Sequence, residues 1–282
     1  MLNKLSPAKV NLHLSVLRKR EDGYHDIATL MQRISLYDEM TFAPAPSGIT
    51  VKCPGSHLPE DEGNIVYRAA LAYYSYIGYK KGIVITIGKQ IPIAAGLGGG
   101  SSNAATTLMT LNELSGEICS RDELMKIGKT LGADVPFFIF GKTAWATGIG
   151  DCLQAAIDIP SYWFLLVNPG FPVSTKTVYE SLNLRLTKGS INYSIPSFKI
   201  GTGDTGNDGL KNDLEQVTMA RQPILNELKK LLLGYDAAGA LMSGSGPTLF
   251  GIFDSEEQAR KASQALTVKG AGKWWIYLAH SI

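Results

Sequence analysis

Residues 91–114 read IPIAAGLGGGSSNAATTLMTLNEL, four glycines and two serines set directly ahead of a good helix. Gly96, Gly98, Gly99 and Gly100 carry no Cβ to hold an anion away from the backbone. They also admit the positive φ angles that curl successive N–H groups into a nest. A loop that follows a strand and opens a helix presents unpaired N–H groups and the positive end of the helix dipole. Ser101 and Ser102 add hydroxyls for a phosphate oxygen or a Mg2+ ion. The chemistry indicated is phosphate binding, set against the plainer alternative of a flexible surface loop. Two common phosphate loops do not fit. No lysine lies between Gly96 and Leu108, so the G-K-[ST] ending is missing. The dinucleotide fingerprint needs an acidic residue ending a second strand ~20 residues on, and here that region starts a helix.

Other residues capable of chemistry stand singly. Asp134 follows Gly132 among small and apolar neighbours, and spacing leaves two readings, a helix cap or a poised base. Lys9 shares a strand face with Asn11 and His13; alone it reads as a solvated lysine at a strand edge. His25, after Tyr24, reads by itself as a satisfied loop histidine. Gly244 and Gly246 flank Ser245 in SGSGPTLF, which reads as a hairpin. The three cysteines are scattered, with no metal-ligand spacing, and point to a reducing compartment.

The elements that must position these residues follow from pattern. Residues 9–16, KVNLHLSV, alternate as a half-buried strand. Further strands are expected over 27–36, 40–43 and 49–52, separated by turns. Asn64 caps a helix to about residue 77, GIVITI is a β-branched strand, and 104–114 is helix. Ser120 and Glu123 form a capping box on a helix that closes at Gly132. Residues 187–209 read as a surface loop and 212–233 as helix broken near Pro223. Strands near 237–242 and 248–253, a helix capped by Ser255 and a strand over 274–279 complete an α+β chain. Its two domains are expected at 1–155 and 156–282.

With 282 residues, 45% hydrophobic and 18% charged, the chain has the composition of an ordinary globular protein. A net charge of +2 is too small to imply nucleic acid or an anionic membrane as partner, so anions must be met by a local site. The opening MLNKLSPAKV has no signal-peptide pattern and no apolar run approaches ~20 residues, so a cytoplasmic protein is expected.

The stretch PxxxGLGGGSSNAA resembles the phosphate-binding motif of the GHMP kinases, with companions at SPAKVNLHL (6–14) and MSGSGPTLFG (242–251). Within that superfamily DGYH (22–25), LGADVPFF (131–138) and N-P-G (168–170) resemble the branch acting on a cytidine-diphosphate-linked sugar alcohol. The likeness spans nearly the whole chain and is weakest over 184–209. It implies a two-domain GHMP kinase architecture, with a ribosomal-protein-S5-domain-2-like N-terminal domain and a ferredoxin-like C-terminal domain. It implies phosphorylation of the 2-hydroxyl of a methylerythritol by ATP with a divalent ion such as Mg2+, in the non-mevalonate isoprenoid route. On the resemblance Asp134 is the base and Lys9 its electrostatic partner, with Asn11 in support. Tyr24 stacks on cytosine and His25 reads its edge. Thr175 and Tyr179 complete that pocket, and Gly244 and Ser245 meet the substrate phosphates. Asn64 and Lys89 are candidates for the nucleotide, and no carboxylate stands out as a metal ligand. The alternatives are a kinase of homoserine, mevalonate or another small alcohol, and an inactive nucleotide-binding relative.

Overall fold

The computed structural model describes residues 1–78, 81–182 and 209–282. The chain begins β1 (Leu2–Lys19), β2 (His25–Ala45), β3 (Ile49–Lys52), α1 (Ile65–Ile77) and β4 (Gly82–Gly88). It continues α2 (Gly99–Leu114), α3 (Arg121–Leu131), α4 (Val135–Phe140), β5 (Ala144–Thr147), β6 (Cys152–Ala155) and β7 (Trp163–Asn168). Then follow α5 (Thr175–Glu180), β8 (Lys211–Asn212), α6 (Glu215–Arg221), α7 (Ile224–Gly234), β9 (Gly239–Met242), β10 (Leu249–Phe253), α8 (Glu256–Gly270) and β11 (Trp275–His280). Both helices and strands are present, as an α+β chain requires.

Two compact units share this chain, each assembled from separate stretches. The first comprises Met1–Ala8, Leu36–Ile93 and Gly98–Lys142. In it the later part of β2 pairs antiparallel with β4, from Glu39 against Gly88 to Ala45 against Gly82, and β3 lies parallel to β4. Helices α1 and α2 pack together, burying Val66, Ala69, Ala70 and Tyr73 from one and Ala104, Ala105, Leu108 and Leu111 from the other. The alanines permit this close approach because they fill little space between the axes.

The second unit comprises Lys9–Ser35, Ala94–Leu97 and Thr143–Ile282. The start of β2 pairs with β5, and β1 meets β8 in parallel at His13–Lys211 and Leu14–Asn212. A separate antiparallel sheet runs β11-β7-β10-β9. Its core gathers Leu165, Val167, Leu249 and Phe253 from strands with Leu225, Leu228, Leu232 and Leu266 from helices.

Four local expectations need correction. Residues 27–36 and 40–43 belong to one uninterrupted strand, β2, because Asp38, which lies between them, is fully buried and hydrogen-bonded. Helix α2 begins at Gly99, so Gly99, Gly100, Ser101 and Ser102 form its first turn, behind the N-cap Gly98. Asn212 lies in β8, and the helices start only at Glu215, because Asn212 spends its side chain on neighbouring backbone. Strand β1 also departs from half-burial: Lys9, Asn11, His13 and Ser15 are as buried as Val10, Leu12 and Leu14. Residues 187–208 of the expected surface loop lie outside the described residues.

Candidate active site

In the first unit the start of α2 carries the phosphate-loop residues. Its N-cap residue, Gly98, sits at φ +71° and has no side chain to cap with, so the first N–H groups of the helix are left to water or a ligand. Gly99 is needed for space, since a Cβ there would stand 2.9 Å from Ile91 Cγ2. Gly100 is exposed and Ser101 half-buried. Ser101 Oγ lies 3.7 Å from where a Cβ on Gly132 would be, which brings the helix start beside the segment leading to Asp134. Ser102 is fully buried and accepts a 2.8 Å hydrogen bond from the Ser6 hydroxyl, so it is tied into the interior.

Asp134 occupies the N-cap position of α4 but makes no capping hydrogen bond to it, and it is half-buried. Pro136 in the first turn removes one N–H that such a cap would serve. Asn64 does cap α1: its Oδ1 accepts from Val66 N at 2.9 Å and its Nδ2 donates to Pro59 O at 2.7 Å. The Lys89 ammonium forms an ion pair with Asp38.

In the second unit Lys9 is 4% exposed, and its ammonium donates to Asn11 Oδ1 at 2.6 Å and to Gly96 O at 3.1 Å. Asn11 Nδ2 in turn donates to Thr29 Oγ1 at 2.8 Å, and Thr29 donates to His13 O. Gly96 cannot be another residue: at φ +77°, a Cβ would stand 2.0 Å from Ser243 O. Ser243 Oγ donates to the same Gly96 carbonyl at 2.9 Å. A Cβ on Gly244 would stand 3.3 Å from Asn11 Oδ1 and 3.5 Å from Lys9 Nζ, so the second glycine turn closes over the lysine.

That turn is held by a residue the pattern did not single out. Asn212 Nδ2 donates to Met242 O and to Gly244 O, both at 2.7 Å, while its Oδ1 accepts from Leu214 N at 3.0 Å. A buried asparagine with these three bonds is a positioning residue, and its only sequence signal is an amide beside an aspartate after a polar run. Ser245 Oγ meets Thr175 Oγ1 at 2.8 Å, and Thr218 donates to Ser245 O.

The remaining group is aromatic. His25 is buried with its ring 5.2 Å from that of Tyr179, at 34° between planes, and Tyr24 stands 60% exposed. The turn before them is gripped by charge: Arg20 bridges Asp22 and Asp26, and Asp22 accepts the Tyr24 N–H at 3.1 Å. Burial, aided by the charge of Lys19, pushes the His25 pKa below its usual value, so its imidazole is neutral at pH 7. A neutral imidazole offers one donor and one acceptor, which suits reading a nucleobase edge. The structure thus joins Lys9 with Asn11, Gly96 and Gly244, joins Thr175 with Ser245, and sets His25 against Tyr179.

Comparisons with known proteins complete the picture. The family model for the GHMP kinases N terminal domain matches residues 64–142, and that for the GHMP kinases C terminal matches residues 195–271. The chain is 59% identical over 282 residues to a 4-diphosphocytidyl-2-C-methyl-D-erythritol kinase of Syntrophus aciditrophicus, covering 100% of both chains. It is 50% identical to the protein of the same name in Geobacter metallireducens, over 98% of this chain and 97% of that one. A crystal structure of 4-(cytidine 5'-diphospho)-2C-methyl-D-erythritol kinase superposes with a TM-score of 0.79 at 34% identity, covering 99% of each chain. With both family models matched and full-length relatives this similar, the chain belongs to the GHMP kinases, ATP-dependent kinases of small molecules.

Proposed function

We propose that this kinase transfers the γ-phosphoryl group of ATP to the 2-hydroxyl of 4-diphosphocytidyl-2-C-methyl-D-erythritol, in the cytoplasmic non-mevalonate route to isoprenoid precursors. The full-length relatives that carry this name support it. The observation that carries it within the chain is the His25–Tyr179 pair beside exposed Tyr24, a neutral imidazole and two aromatic faces suited to cytosine. Neither homoserine nor mevalonate has a ring to occupy such a group.

In this reading the first N–H groups of α2 take phosphate oxygens, and Asp134 takes the proton of the acceptor hydroxyl. Lys9, oriented by Asn11 Oδ1 and Gly96 O, stabilises the alkoxide as it develops. Mg2+ neutralises phosphate charge when bound. The Ser101 hydroxyl would hold it together with oxygens that the nucleotide brings, a hard-oxygen set suited to Mg2+, since the Asp38 carboxylate is committed to Lys89 and backbone N–H groups. Among the described residues no group of three or more His, Cys, Asp or Glu side chains is placed to hold a metal.

A coupled ATP-consumption assay tests the proposal, run with the cytidyl acceptor beside mevalonate and homoserine, on wild type and Asp134→Asn. The expected outcome is turnover of the cytidyl compound alone, lost in the variant by about 10²-fold or more. Turnover of another alcohol would discard the cytidine reading, and an undiminished Asp134→Asn would discard the base.

A further inference from the structure

Asp38 is fully buried in the first unit, midway along β2. Its Oδ1 accepts from Gln90 N at 2.8 Å and Ile91 N at 2.9 Å, its Oδ2 accepts from Asn103 Nδ2 at 3.0 Å, and Lys89 pairs with the same oxygen. The Lys89 ammonium also lies 3.4 Å from Asn103 Oδ1 and 3.2 Å from where a Cβ on Gly99 would stand. Asn103 Nδ2 reaches Ser6 Oγ at 2.9 Å, and the Ser6 hydroxyl donates to Ser102 Oγ. One buried carboxylate therefore ties the chain just past β4 to Asn103 of α2, and Asn103 reaches Ser102 through Ser6.

A buried ion pair is a poor device for stability, because desolvation cancels much of the attraction and apolar replacements are often as stable. What it does supply is a single geometry. We propose that Asp38 and Lys89 are positioning residues for the nucleotide. They fix where the open N–H groups of α2 stand, and Lys89 acts through Asp38 and Asn103 rather than on a phosphate. This deepens the reading of the α2 start as the phosphate cradle. It rests on nucleotide use and not on the acceptor, so a failed acceptor assay and a failed nucleotide titration are separate results.

The test is calorimetric titration with a non-hydrolysable ATP analogue, with melting temperature measured beside it, for Asp38→Asn, Lys89→Met and the double variant. Lys89→Met alone strands a buried charge and lowers the melting temperature sharply. The double variant removes both charges and recovers most of that loss, while its dissociation constant stays raised about tenfold, as in each single variant. Affinity that returns together with melting temperature would show a pair that only stabilises, and would overturn the proposal. So would wild-type affinity in Asp38→Asn alongside loss in Lys89→Met, since Lys89 would then touch the nucleotide itself. Ser6→Ala provides a milder probe should the charge variants fold poorly. It cuts the link to Ser102 and is expected to weaken the analogue about threefold with little change in melting. Unchanged affinity there would count against the network.

Discussion

Lys9 shows how much a single side chain depends on its surroundings. Its neighbours along the strand are polar on one face, yet both faces are buried, and the polar face is satisfied by Asn11–Thr29 and His13–Ser15 contacts. A lysine so placed does not trail in solvent; its ammonium is directed by Asn11 Oδ1 and Gly96 O. Lys9→Met should cut kcat by about 10²–10³-fold, far more than the modest fall in melting temperature expected from leaving Asn11 Oδ1 without this donor, measured with the coupled assay and a thermal melt. Lys9→Arg should not rescue it, because a planar fork cannot replace a compact ammonium in that space. The histidines lend themselves to a pH experiment. Burial pushes the pKa values of His13 and His25 down, so below about 6.5 the unfolded chain binds protons that the folded chain refuses. Stability is then full above that value and is lost as pH falls from it toward the lowered folded values. Melting temperatures measured from pH 8 to 5 should decline below 6.5, and His13→Gln should flatten the decline.

Elements were legible where a local rule decides them. The Asn64, Ser120 and Ser255 caps sit where side-chain chemistry puts them, because each serves N–H groups two or three residues away. Asn64→Ala should cost about 1–2 kcal/mol in urea denaturation, more than an ordinary cap, since the Pro59 carbonyl loses its donor as well. The misread elements are those where a distant partner decides. Asp38 has the profile of a turn residue, but donors from the chain after β4 and from α2 let β2 run straight past it. Asn212 looks like a helix start, but two carbonyls of the glycine turn hold it in a strand. Asn212→Ala should therefore lower kcat/KM about tenfold through a loosened turn, with α6 and α7 intact by circular dichroism.

At the scale of the whole molecule the chain sustains two compact units, and β1 and β2 contribute to both. The core of the second unit is built on leucines from α7 and α8 against β7 and β10. Leu228→Ala, at a fully buried position, should cost about 2–5 kcal/mol in denaturant titration while leaving KM for both substrates unchanged in the folded enzyme. Among the described residues no helix is long and apolar enough to cross a membrane. The sequence by itself determined the kind of protein this is: a glycine-rich run opening a helix, its companion stretches, and the α+β order of elements all follow from short-range stereochemistry or from a long specific likeness. Only the tertiary structure decided which polar residues are interior. Burial and hydrogen-bond partnership depend on atoms far apart in the chain, so Lys9 became a directed ammonium, Ser102 a buried tie, Asp38 the tie between the chain after β4 and Asn103 of α2, and Asn212 the holder of the second glycine turn.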